Sequence, residues 1–312
     1  MQPIIEVDRL VKRYRKAETN AVDGISFTVA PGELFTLLGP NGAGKTTTIS
    51  ILTTTLSPTA GVVRIAGRDV IKEASAVRRS IGIIFQKPSL DLNLTAEENV
   101  RFHAILYGLY TFRPHFSMMP RAYQQQVRDL AAILGITEDI FKPVKTFSGG
   151  MKRKLEIIRS LIHRPRVLFL DEPTVGLDPA SRRNLWEYLR KVRTEDGTTI
   201  FLTTHYLEEA EEADTVCIIN RGKVVSFGSP AQVKADLTEE YLFLDAHDRD
   251  ALRSELTQLG LAFVETPIFK IPLNTVKAQD VIKAIQTPLA MLRMDAPTLE
   301  DAYLRIVGQL EG

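Results

Sequence analysis

Residues 39–47 read GPNGAGKTT and follow directly on the apolar run Leu34-Phe35-Thr36-Leu37-Leu38. Gly39, Gly44, Lys45 and Thr46 stand at the spacing of a phosphate-binding loop between a strand and a helix. Glycines let successive backbone N–H groups turn onto an anion without Cβ clashes, and the helix that follows presents its positive end to the same place. Lys45 can reach the β- and γ-phosphates as a point charge, and the Thr46 hydroxyl can ligate Mg²⁺. The whole stretch Gly39-Pro40-Asn41-Gly42-Ala43-Gly44-Lys45-Thr46-Thr47 is therefore the first candidate site. A plain Gly-rich turn is the alternative, and the strand before and the helix-forming TTTISIL after leave it little room.

The 312 residues are enough for a sizeable core and more than one domain. With 39 basic and 38 acidic side chains the net charge is +1, which gives no global attraction to nucleic acid or anionic lipid. Cys217, the single cysteine, sits in the apolar run TVCIIN and reads as a buried strand residue, which excludes a disulfide framework and a cysteine-rich zinc site. No uncharged apolar stretch approaches the roughly 18 residues that span a bilayer, and the N-terminus lacks the shape of a signal peptide. The expectation is a soluble, cytoplasmic chain whose membrane role, if any, comes through a partner.

Working outward from the loop, alternating apolar residues in IIEVDRLVKRY and AVDGISFTVA predict two strands before it. Residues 61–66, 81–85, 198–203 and 215–219 read as further strands, the later ones alternating with the helix LWEYLRKVR. Helical spacing covers TAEENVRFHAILYGLY and YQQQVRDLAAILGI, separated by the irregular TFRPHFSMMPR with its two prolines. The sum is an α/β core with a mostly helical insertion at about 87–165. From Asp236 onward the order reads β-α-β-β-α-β-α, as in a ferredoxin-like module without any catalytic cluster, so we expect domains at 1–235 and 236–312. His247, in that second part, reads as a solvated loop residue.

Other segments fit a metal–nucleotide site. VLFLDEPT at 167–174 ends a buried strand in Asp171 and Glu172, one carboxylate to hold Mg²⁺ and another to orient water. Ser148, in FSGGM, can cap the helix that follows it, and Gly149 and Gly150 leave N–H groups free for an anion. Gln86 after IGIIF and His205 after TIFLTT fall at core-strand ends, where ligand-contacting groups gather. Taken singly, each is as readily a strand-end acid, a helix start, an exposed Gln or a structural His.

Together and in this order, GPNGAGKTT, Gln86, FSGGM, VLFLDEPT, Gly176-Leu177-Asp178 and His205 resemble the ATP-binding subunit of ABC transporters over roughly residues 4–230. The resemblance implies a P-loop NTPase (RecA-like) α/β core with N-terminal antiparallel strands, a helical subdomain, and ATP and Mg²⁺ as cofactors. It implies two subunits facing head to tail, each ATP held between one phosphate loop and the partner's Ser-Gly-Gly. Lys45, Thr46 and Thr47 would then hold phosphates and Mg²⁺, with Asp171 and Gln86 also on the metal. Gln86 would sense the γ-phosphate, Glu172 would polarise water, and His205 would clamp the γ-phosphate. Ser148, Gly149 and Gly150 would serve the partner's nucleotide, with Asp178 also among the cofactor-binding residues. Tyr14 matches the aromatic that stacks on adenine, although by spacing it is simply a strand aromatic. The family's Leu-Ser-Gly-Gly-Gln is departed from at Phe147 and Met151, which leaves the anion-binding centre intact and puts the role of the terminal side chain in doubt.

GLDPASRRNLW, TTHYLEEAEEAD and APTLEDAYL look like the drug-resistance type that drives type-2 exporters. That likeness implies a second copy or a paralogous ATPase as partner, integral membrane permease subunits, no nucleic acid, and a position on the cytoplasmic face of the membrane. The permease would press near Gln86 and residues 88–116, which makes TFRPHFSMMPR either a docking surface or a variable surface loop. The alternative function is a soluble ABC ATPase acting on nucleic acid or ribosomes. Such proteins usually carry two cassettes, long coiled coils or zinc cysteines, and this sequence has one phosphate loop and one cysteine. A regulatory nucleotide switch with little turnover is a third, opposed by Glu172 and His205 together.

Overall fold

The computed structural model describes residues 2–85, 89–175, 177–237, 241–273, 276–295, 298–300 and 303. Along the chain, β1 (Ile5–Lys12) and β2 (Val22–Val29) lead into β3 (Leu34–Leu38) and α1 (Lys45–Leu52). Then come β4 (Ala60–Ile65), β5 (Arg68–Asp69), α2 (Ala74–Ser80) and β6 (Ile81–Ile84). The helical insertion supplies α3 (Ala96–Leu106), α4 (Arg121–Ile133) and α5 (Gly149–Leu161). β7 (Val167–Asp171), α6 (Pro179–Asp196), β8 (Thr199–Thr204), α7 (Leu207–Glu211), β9 (Thr215–Asn220) and β10 (Lys223–Gly228) follow. The remainder is α8 (Pro230–Leu237), β11 (Tyr241–Ala246), α9 (Arg249–Gln258), β12 (Val264–Glu265), β13 (Phe269–Pro272), α10 (Ala278–Ala284) and β14 (Leu289–Asp295). Two compact units result, Met1–Phe227 and Gly228–Gly312.

The first unit has two sheets. β2-β1-β4-β5 is antiparallel, with Ile5 opposite both Val29 and Ile65. Its β2 alternates buried and exposed residues, as a strand with one covered face must. The second sheet runs β10-β9-β3-β8-β7-β6, and β3 pairs in parallel with both β8 and β9. Every residue of β3, β7 and β8 is buried, the signature of parallel strands covered on both faces. The two sheets meet through a row of aromatic rings: Phe27 stacks on Phe35 at 5.2 Å, Phe35 on Phe201 at 5.0 Å, and Phe201 meets Phe169 at 5.3 Å.

Helix ends follow local chemistry. α3 opens on a capping box between Thr95 and Glu98. α6 is longer than the stretch LWEYLRKVR, because Asp178 caps it, Pro179 opens it, and Gly197 closes it at φ 64°. The irregular stretch between α3 and α4 holds one short 3₁₀ turn, Phe116–Met118. A buried knot pins it: Arg101 meets Glu97 at 3.1 Å, Tyr123 donates to Glu97 at 3.0 Å, and Arg101 donates to the Arg113 carbonyl at 2.6 Å. No helix among the described residues is long and apolar enough to cross a membrane.

The second unit contains the antiparallel sheet β12-β13-β11-β14, the strand order of a ferredoxin-like βαββαβ fold. Leu242, Leu244, Phe269 and Ile271 of the sheet bury against Leu252 and Leu256 of α9 and Val281 of α10. The expected final helix falls mostly outside the described residues. No motif marks β10, the edge strand of the six-stranded sheet, or α8, with which the second unit begins.

Removing a ring from the aromatic row leaves a cavity between the two sheets. Phe201→Ala should therefore cost about 3–5 kcal/mol, read as a lower denaturant midpoint with unchanged slope. A midpoint within experimental error of the parent would show that the row carries no packing energy.

Candidate active site

Register brings the motifs together. Leu38, the last residue of β3, pairs with Thr204 of β8, and the preceding Thr203 pairs with Asp171 at the end of β7. The loop after β3, the carboxylates after β7 and His205 after β8 thus emerge at one edge of the sheet, the carboxyl ends where α/β proteins bind ligands.

The loop is shaped by contacts only glycine allows. A Cβ on Gly39 would fall 2.3 Å from the Ile219 carbonyl oxygen, and one on Gly44 would fall 2.5 Å from the Ala21 carbonyl oxygen. Gly44 also holds φ 108°. It precedes α1 without any side-chain cap, so the first-turn N–H groups have no acceptor within the helix and face an anion's position. Ala43 is buried and its N–H bonds the Pro40 carbonyl at 3.2 Å, while Asn41 and Gly42 lie exposed at the tip. Lys45 turns back over the loop and donates to the carbonyls of Gly39 (2.6 Å) and Pro40 (3.1 Å). Burial pushes its pKa down, and the negative charges of Glu172 and Asp171 pull it back. Thr46 is exposed, and Thr47 shares a 3.2 Å hydrogen bond with the hydroxyl of Tyr14, whose ring is half exposed beside the loop.

Asp171 is buried and accepts a hydrogen bond from Thr203. Burial raises its pKa and Glu172 adds to the rise, while Thr203, Lys45 and Arg153 oppose it. Glu172 follows in the left-handed region at φ 48°, a conformation costing roughly 1–3 kcal/mol in a non-glycine residue and concentrated at functional sites. Its N–H bonds the Thr203 carbonyl at 3.0 Å, and its Oε1 lies 3.0 Å from His205 Nδ1. Lys45, Asp171, Glu172 and His205 therefore form one constellation.

The pieces suit a magnesium nucleotide. An uncapped helix start, a buried ammonium and a carboxylate whose charge is unfavourable as it stands all gain from a phosphate with its cation. No cluster of three or more His, Cys, Asp or Glu able to hold a metal occurs among the described residues. Mg²⁺ needs none, since it keeps several waters and takes one or two protein oxygens together with substrate phosphates. Among the described residues, Asp171 and Thr46 offer such oxygens at this edge.

Ser148 stands elsewhere. It caps α5 by accepting the Met151 N–H at 3.2 Å, and Ser148 and Gly149 are exposed. Among the described residues no hydrogen bond joins it to the Gly39–Thr47 loop. Phe147 is buried, a packing residue where the familiar signature has Leu. Asp178 bonds the Ser181 N–H at 2.9 Å as a helix cap. Gln86 and Gly176 lie outside the described residues. Sequence reasoning passed over Thr203, hidden in an apolar strand, and Arg153, in the run MKRKLEIIR that reads as a solvated face. Arg153 is buried and donates into the Asp171–Pro173 turn.

A family profile described as ABC transporter matches residues 22–175. The Nod factor export ATP-binding protein I of Paraburkholderia xenovorans is 36% identical over 98% of this chain and 97% of its own length. The chain belongs to the ABC transporter ATP-binding family. The daunorubicin/doxorubicin resistance ATP-binding protein of Streptomyces peucetius is 40% identical over 82% of this chain and 74% of its own. Among solved structures, a dimeric ATP-binding cassette in a post-hydrolysis state with ADP and Pi superposes with a TM-score of 0.65. It is 25% identical and covers 72% of this chain and 98% of that one. This family binds ATP and generally hydrolyses it.

Gly39→Ala should weaken binding of a fluorescent ATP analogue far more than Gly42→Ala. The new methyl at Gly39 meets the Ile219 carbonyl, whereas a Cβ at Gly42 meets nothing within 4 Å and strains only the backbone. Equal losses from the two substitutions would contradict this account of the loop.

Proposed function

We propose that this chain binds and hydrolyses ATP as the energy-coupling subunit of an exporter. The observation that carries the proposal is the constellation of Lys45, Asp171, Glu172 and His205 at neighbouring strand ends. In this reading the N–H groups of Gly44 to Thr47 and the Lys45 ammonium hold the phosphates, and the Tyr14 ring stacks on adenine. Mg²⁺, when bound, neutralises the phosphate oxygens and draws charge from the bond to be broken. Thr46 and Asp171 would hold it. Glu172 accepts hydrogen-bond character from the attacking water and orients it in line, and His205, already bonded to Glu172, keeps that carboxylate aimed and reaches toward the γ-phosphate.

A second copy or a paralogous cassette supplies Ser148, Gly149 and Gly150 to the nucleotide. The exposure of that helix start, away from the chain's own loop, supports a shared site, as does the similarity to a dimeric cassette. Membrane subunits complete the assembly at the cytoplasmic face, with the exporter reading supported by the export and resistance proteins this chain is similar to. Leu106 (84% exposed), Phe112 (61%) and Met118 (51%) are large apolar side chains left exposed on the helical insertion, which supports docking there.

Glu172→Gln should reduce hydrolysis by about 10²-fold or more while ATP affinity stays near the parent's, because orienting water contributes to the transition state and not to ground-state binding. The variant should also accumulate an ATP-bound dimer on gel filtration. Comparable turnover in variant and parent would sink the assignment. Deleting residues 236–312 should spare ATP affinity, since the residues proposed for the chain's own nucleotide all precede them. Loss of ATP affinity from a truncated chain that still melts cooperatively would place the second unit in the site.

A further inference from the structure

Arg153 lies on the buried face of α5, five residues beyond Ser148, and every nitrogen of its guanidinium is engaged. Nε donates to the Pro173 carbonyl at 3.1 Å, and Nη2 donates to the carbonyls of Asp171 (3.2 Å) and Glu172 (3.3 Å). Nη1 donates to the Phe85 carbonyl and, at 3.2 Å, to Glu156 Oε2. Behind it Glu156 Oε1 accepts the Ser89 N–H at 2.9 Å, and Arg159 donates to the Ser89 carbonyl (2.5 Å) and hydroxyl (2.7 Å). One face of α5 thus grips β6's exit and the turn after β7.

The turn needs such a grip. Glu172 sits at φ 48°, where a non-glycine backbone persists only if its surroundings over-determine it. Three successive carbonyls, those of Asp171, Glu172 and Pro173, point at one planar fork of donors. We propose that Arg153 is a positioning residue for Glu172, holding the catalytic turn in its left-handed bend and tying it to the helix whose N-terminus carries Ser-Gly-Gly. The inference rests on the reading of Glu172 as the residue that orients water. Its consequence is directional: a nucleotide of the partner subunit bound at Ser148 loads α5, and α5 sets the aim of this chain's own Glu172.

Arg153→Lys keeps the charge and loses the fork, since an ammonium on a flexible stem cannot serve the three carbonyls together. In the full-length chain, kcat for ATP hydrolysis should fall by about tenfold or more, as misplacement of a catalytic group by ~1 Å does. ATP affinity, from titration with a fluorescent analogue, should stay within about twofold, because Arg153 bonds nothing in the Gly39–Thr47 loop. On a Glu172→Gln background the same substitution should change the residual rate by less than about twofold, since the group it positions is already gone. Parental kcat in a folded Arg153→Lys chain, or a full tenfold further loss on the Glu172→Gln background, overturns the inference. A variant that loses its cooperative, ATP-stabilised thermal transition assigns Arg153 to folding alone and overturns it as well. Should Glu172→Gln itself hydrolyse like the parent, the underlying reading of Glu172 fails, an outcome separable from all of these.

Discussion

Strand β8 lies between β3 and β7, and the width of that single strand sets the dimensions of the site. Neighbouring strands run about 4.8 Å apart, so the phosphate loop and the acidic turn leave the sheet roughly 10 Å from one another. A gap of that width suits a phosphate with its hydrated cation. The gap is held rigid because β3, β7 and β8 are buried on both faces and locked by the stacked rings of Phe35, Phe201 and Phe169. β8 also contributes Thr203, whose hydroxyl bonds Asp171 and whose carbonyl bonds the Glu172 N–H. The spacer strand is thereby part of the machinery.

Charges at this edge stand in mutual tension. Burial disfavours both the Lys45 ammonium and the Asp171 carboxylate; Glu172 and then Asp171 oppose it at the lysine, and the Thr203 hydroxyl, Lys45 and Arg153 oppose it at the aspartate. Asp171 and Glu172 are adjacent and repel. A site of this kind gains most when a trianionic phosphate tail and a divalent cation enter as a pair, since the cation relieves the repulsion between the carboxylates and the lysine can leave its two carbonyls for phosphate oxygens. Preorganisation here is electrostatic as much as steric: Lys45 and Asp171 are already buried, so their dehydration does not have to accompany binding.

What could be read from the sequence was what lies close along it. The loop from Gly39 to Thr47 is contiguous, and so is the strand ending in Asp171 and Glu172; strand periodicity then put both at the edge of one sheet. The antiparallel strands, the helical insertion and the βαββαβ order of the second unit were legible for the same reason, since each depends on local spacing. Arg153 was not, because a cation in a run of cations has no local mark of burial; four acceptors distant in sequence make it a core residue. Thr203 was hidden in an apolar strand, and β10 and α8 carry no motif. The full length of α6 was recoverable from Asp178, Pro179 and Gly197, a cap, an opener and a stop that stand in the sequence.

A buried guanidinium–carboxylate pair is a poor way to stabilise a protein. Dehydrating both ions costs several kcal/mol each, and their attraction recovers that only when every remaining donor is also satisfied. Arg153 and Glu156 meet this condition, but an apolar pair of similar volume would meet the needs of packing at less cost. An apolar pair could not bond the carbonyls of Asp171, Glu172 and Pro173, nor accept the N–H of Ser89. The ions therefore make sense as fixtures of geometry. They join a helix of the insertion to the acidic strand end of the core by directional bonds instead of sliding apolar contacts, so that displacement of α5 is transmitted to the turn at Glu172 and not absorbed between them.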